Sequence, residues 1–102
     1  MSNNKLPDQE TFVAALCSAH PEYVKAGAVS VYARLTASDE DVKAAVVSWI
    51  GGGDVPELSA EGHSVSSLAR DYGMNALAAL LTIQWLRRDP VTAKKALKAG
   101  IR

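Results

Sequence analysis

Between Asn75 and Asp89 the chain reads ALAALLTIQWLRR, and this stretch constrains the fold more than any other. Leu77, Leu80, Leu81, Ile83, Trp85 and Leu86 leave almost no polar side on a helix of that sequence. A helix that is apolar nearly all round has to be enclosed, by its own protein or by a partner. At about 1.5 Å per residue, residues 76–88 reach roughly 20 Å, which is short of the ~30 Å hydrocarbon layer of a bilayer. No membrane span is expected. The helix is instead expected at the centre of an all-α, compact single-domain bundle of five to six helices.

The flanking punctuation supports that fold class. Asn75 is placed to cap the central helix, and Asp89-Pro90 restarts the chain with an N-cap followed by proline at the first helical position. The last helix, about 90–99, carries Lys94, Lys95 and Lys98 towards its negative end, and Gly100 ends it. Upstream, Ser64 opens a short helix that stops at Tyr72-Gly73.

In the first half, Asp8 follows Pro7 as an N-cap, with Phe12, Val13, Leu16 and Ala19 at helical spacing up to about residue 19. Pro21 is expected at the first position of a second helix, whose buried stripe would be Val24, Ala28, Val31 and Leu35. The run VSVY at 29–32 is also compatible with a strand, so the helical character of residues 23–35 is left open. Ser38, followed three residues later by Asp41, is expected to cap a third helix with a stripe of Val42, Val46, Trp49 and Ile50, stopped by Gly51-Gly52-Gly53. Trp49 and Trp85 are read as core residues. Residues 1–7 are expected to be flexible and residues 51–63 to form a loop.

Charge is balanced overall yet unevenly placed. Residues 1–69 carry four bases and nine acids, net −5, whereas residues 70–102 carry seven bases and two acids, net +5. Such polarity suits attraction within one fold, an acidic partner, or head-to-tail self-association. The polar start, MSNNKLPDQE, has no signal-peptide pattern, and a single Cys17 excludes an internal disulfide framework; a cytoplasmic location is expected.

Four kinds of chemistry can be weighed. Ala69 and Gly73 have the spacing of a helix-turn-helix over residues 65–88, in which Arg70 and Asn75 would be the DNA-facing residues. The second helix of that pair opens Ala76-Leu77-Ala78-Ala79, however, with nothing beyond Asn75 to read a base edge, and zero net charge removes the electrostatic drive. DNA binding is therefore the alternative reading. Cys17, His20 and His63 are too few and too scattered for a metal site. Ser64, Ser66 and Ser67 read as a helix cap, no Gly-x-Ser-x-Gly elbow exists, and the triple glycine lacks the Lys-Ser or Lys-Thr of a phosphate loop. No catalytic residue, cofactor or metal is assigned. What stands is a small non-enzymatic interaction or accessory module, self-association included, with Arg87, Arg88, Lys94, Lys95 and Lys98 as the candidate partner-binding residues.

Overall fold

Asp8 opens the first helix by accepting a hydrogen bond from the Thr11 amide at 2.9 Å, so one of the orphan donors of the first turn is satisfied by the cap. The computed structural model describes residues 5–100 and holds six helices and one two-stranded hairpin among them. Its fold class is all-α. The chain falls into two compact units that meet in sequence between Val55 and Pro56.

The first unit contains α1 (Gln9–Ala19), α2 (Lys25–Thr36) and α3 (Glu40–Ile50). Phe12, Val13 and Leu16 of α1, Ala28 and Leu35 of α2, and Val42, Ala45 and Val46 of α3 are buried. The ring of Phe12 tilts against Tyr32, centroids 5.3 Å apart, and the Tyr32 hydroxyl donates to the Pro7 carbonyl at 2.7 Å. That bond ties down the chain just ahead of α1; residues 1–4 of the stretch expected to be flexible lie outside the described residues.

Two expectations for this unit are corrected. Pro21 does not begin α2: Pro21 and Glu22 form a turn, the Tyr23 amide donates to His20 O, and helical geometry starts at Lys25. Val24, the N-cap, consequently lies 68% exposed instead of in the buried stripe. Ser38 is likewise not the cap of α3. Its hydroxyl donates back to Arg34 O at 2.9 Å and closes α2, while Asp39 takes the N-cap position. The VSVY run is helical throughout, since α2 spans it. Beyond α3, the Ser48 hydroxyl donates to Asp54 O and the Gly53 amide to Ser48 O, which folds the glycine run back onto the helix end.

The second unit is organised by α5 (Ala76–Arg88), with α4 (Val65–Tyr72) and α6 (Pro90–Lys98) packed against it. Every residue from Ala79 to Gln84 is buried, which at 3.6 residues per turn means burial on all sides. Leu77, Leu80, Ile83 and Leu86 are almost wholly enclosed. At roughly 2 kcal/mol for each such side chain, packing outweighs the ~1 kcal/mol contributed by a helix cap, and α5 owes its order chiefly to burial. The one hydroxyl on this run is satisfied locally: Thr82 Oγ1 donates to Ala78 O at 2.8 Å.

Of the expected loop 51–63, residues 53–58 have no regular structure, whereas the stretch from Ser59 onwards forms a hairpin. Ser59–Ala60 (β1) pairs antiparallel with His63–Ser64 (β2), joined by a two-residue turn of Glu61 and Gly62. Both turn residues have positive φ, 52° and 80°, which matches the right-handed twist of a tight hairpin. The hairpin runs directly into α4. Ser64 and Ser67 form a reciprocal capping box there, and the Glu57 carboxylate accepts from the Ser66 amide at 3.0 Å. Gly73 closes α4 in the left-handed conformation, φ 68°, and Asn75 then caps α5 through Ala78 N.

Candidate interaction face on the last helix

Asp89 and Pro90 set the direction of α6. The Asp89 carboxylate accepts from the Thr92 amide, and the fixed backbone of Pro90 supplies the first helical residue. Ala93 and Leu97, four apart, are buried. Helical spacing then puts Val91, Lys94, Lys95 and Lys98 together on the opposite side, at i, i+3, i+4 and i+7, and all four are exposed. Val91 is 69% exposed and sits at the start of the lysine row. Arg88 is exposed at the end of α5 and Arg87 is half-buried. Of the five basic residues singled out from sequence, α6 thus gathers three on one face.

One of these lysines has a defined partner. Lys94 Nζ lies 2.6 Å from Glu61 Oε1, which links α6 to the tip of the hairpin. Lys95 and Lys98 form no ion pair among the described residues. Both stand in the last turn of the helix, where positive charge also favours the helix dipole by ~0.3–1 kcal/mol each.

The two residues assigned to DNA in the alternative reading are engaged locally. Arg70 Nε lies 2.9 Å from Asp71 Oδ1, a contact that raises the Arg70 pKa and holds the Asp71 carboxyl below the usual carboxylate range. The Asn75 side-chain oxygen accepts from the Ala78 amide at 2.8 Å. The start of α5, which would have to enter a groove, has Leu77 and Ala79 through Thr82 buried.

His20, just after α1, stacks on Trp49 of α3, and His63 stands edge-on to Tyr72. Trp49 and Trp85, read from sequence as core residues, are half-buried and stand at the margin of the core. Among the described residues, no group of three or more His, Cys, Asp or Glu side chains converges in a way that could hold a metal ion. Between α1 and α2 lies a groove of about 530 Å³ with Val13, Ala14, Cys17 and Val29 along it and the exposed Glu10 and Lys25 at its rim. No helix among the described residues is long and apolar enough to cross a membrane.

Comparison of the chain with family models, with curated proteins and with solved structures returned no match.

Proposed function

We propose that this protein is a small non-enzymatic interaction or accessory module that meets an acidic partner, another protein or a second copy of itself, through the exposed face of α6. The observation that carries this reading is the row of Val91, Lys94, Lys95 and Lys98 on one side of a helix whose other side is anchored by Ala93 and Leu97. Dipole compensation accounts for a positive charge in the last turn; it does not account for an exposed valine beside three lysines, which suits a contact with apolar as well as charged character. The net +5 of residues 70–102 adds long-range attraction for an acidic surface. Arg88 extends the same basic character to the end of α5.

The duplex-binding alternative needs exposed polar side chains along the start of α5, and that segment is apolar and buried. Charge reversal separates the two. Lys94→Glu, Lys95→Glu and Lys98→Glu together are expected to abolish capture of specific partners, or to remove self-association seen by sedimentation velocity. Unchanged capture and unchanged sedimentation would overturn the reading. Salt-sensitive binding to duplex DNA, lost with Arg70→Ala and Asn75→Ala, would favour the alternative.

A further inference from the structure

Glu61 occupies an unusual backbone position. It has φ 52°, the one non-glycine residue with positive φ among the described residues, and it precedes Gly62 at φ 80°. A two-residue turn with both φ positive is best served by Asn-Gly or Asp-Gly, because a short side chain can hydrogen-bond locally and tolerates the left-handed conformation. Glutamate brings no such local compensation. What it does bring is a carboxylate long enough to reach α6, where Oε1 lies 2.6 Å from Lys94 Nζ with the two side chains 37% and 53% exposed. The hairpin tip thus lays a carboxylate on the first lysine of the row.

Resting on the α6 reading above, we infer that the partner is an acidic peptide segment and that Glu61 is a built-in competitor for it at Lys94. The chemistry is a carboxylate exchanging for another carboxylate on one ammonium group, so only side-chain rotation is required. Lys95 and Lys98 offer the rest of the face. Neighbours at i+3 and i+4 on a helix stand about 5–6 Å apart, an interval that Asp and Glu side chains on a facing helix reproduce. Val91 adds an apolar contact that a peptide can use and a bare phosphate chain cannot. An exposed ion pair is weak, so the competition is graded: removal of the Glu61 charge tightens peptide binding about 1.5- to 5-fold.

The test uses the full chain at low ionic strength with a fluorescent oligoglutamate peptide, read by anisotropy. Glu61→Gln is expected to tighten binding by that factor, and the same change in a Lys94→Gln background to have no effect. Lys95→Glu with Lys98→Glu is expected to weaken binding. Glutamine preserves the size of the turn residue, and circular dichroism confirms that each variant is folded. Equal or weaker binding by Glu61→Gln overturns the competitor role while leaving the α6 face intact, provided that Lys95→Glu with Lys98→Glu still weakens binding. If that double variant binds like the wild type, the face reading falls as well. Tighter binding to duplex DNA or to anionic vesicles than to the peptide, at the same ionic strength, overturns the assignment of an acidic peptide.

Discussion

The imidazole of His20 lies flat on the indole of Trp49, with ring centroids 3.9 Å apart and planes 7° from parallel. The stack joins the C-cap of α1 to the last turn of α3, so it fastens the two helices at an end where neither ring is fully enclosed. Aromatic pairs of this kind contribute about 0.5–1.5 kcal/mol beyond area burial. His20→Ala is expected to lower unfolding stability by about 1 kcal/mol, and His20→Phe to retain most of it. Denaturant titration followed by tryptophan fluorescence checks this; an unchanged midpoint for His20→Ala would mean that the stack contributes nothing.

Two glycines should respond to alanine with opposite signs. Gly73 closes α4 at φ 68°, where a Cβ meets open space but the backbone is left-handed, so Gly73→Ala is expected to cost about 1–2 kcal/mol. Gly27 lies inside α2 with ordinary helical φ, and an added Cβ would meet only Val24 Cγ2 at 3.8 Å. Gly27→Ala should stabilise by roughly 0.5–1 kcal/mol. Thermal melts of the two variants decide the matter, and the same sign for both would contradict the backbone account.

The elements that sequence made legible are those written in adjacent residues. Asp8, Ser64, Asn75 and Asp89-Pro90 each cap a helix as their local chemistry dictates, and Gly73 ends one. The apolar run of α5 announced its own burial. What was missed depends on competing local choices or on distant partners. The turn at Pro21-Glu22-Tyr23 displaced the start of α2, and Ser38 bonded backwards to Arg34 O instead of forwards. The hairpin at Ser59–Ser64 carries Glu-Gly where the familiar turn signal has Asn-Gly or Asp-Gly, so nothing in the run marked it. Neither the Glu61–Lys94 pair nor the His20 stack can be read without the folding that brings distant residues together. The α6 face was half legible: its lysines stood out, but the exposure of Val91 beside them did not.

Relief of the turn strain gives a third prediction. Glu61→Asn installs the side chain that the left-handed position prefers and gives up one exposed ion pair, worth about 0–1 kcal/mol. The backbone gain, on the order of 1 kcal/mol, is the larger of the two, so a small net rise in melting temperature is expected. A clear fall would show that the ion pair, not the turn, governs the hairpin.

Part of the acid sensitivity should trace to two capping carboxylates, alongside the Asp71 carboxyl that Arg70 holds down. Hydrogen bonds from Thr11, side chain first and backbone second, hold the Asp8 carboxyl below its ordinary range, and Ser66 does the same for Glu57. A folded-state pKa below the unfolded one means stability that is present above the unfolded value and lost as pH falls through the folded value, here from about pH 5 downwards. Asp8→Asn and Glu57→Gln keep a neutral acceptor at each cap, so each is expected to flatten the acid limb of a stability–pH curve. An unaltered acid limb in the combined variant would place the acid sensitivity elsewhere.

The claim that α6 is the contact face is tested most directly by photo-crosslinking from two matched positions. Val91 on α6 and Val24 ahead of α2 are both large, apolar and almost equally exposed, at 69% and 68%. Benzoylphenylalanine is placed at one or the other in the full chain, and the protein is irradiated in the cells that produce it. Discrete adducts from position 91, lost when Lys95→Glu and Lys98→Glu are added, with none from position 24, is the predicted result. Adducts from position 24 alone, or adducts from position 91 that survive the charge reversal, would contradict it.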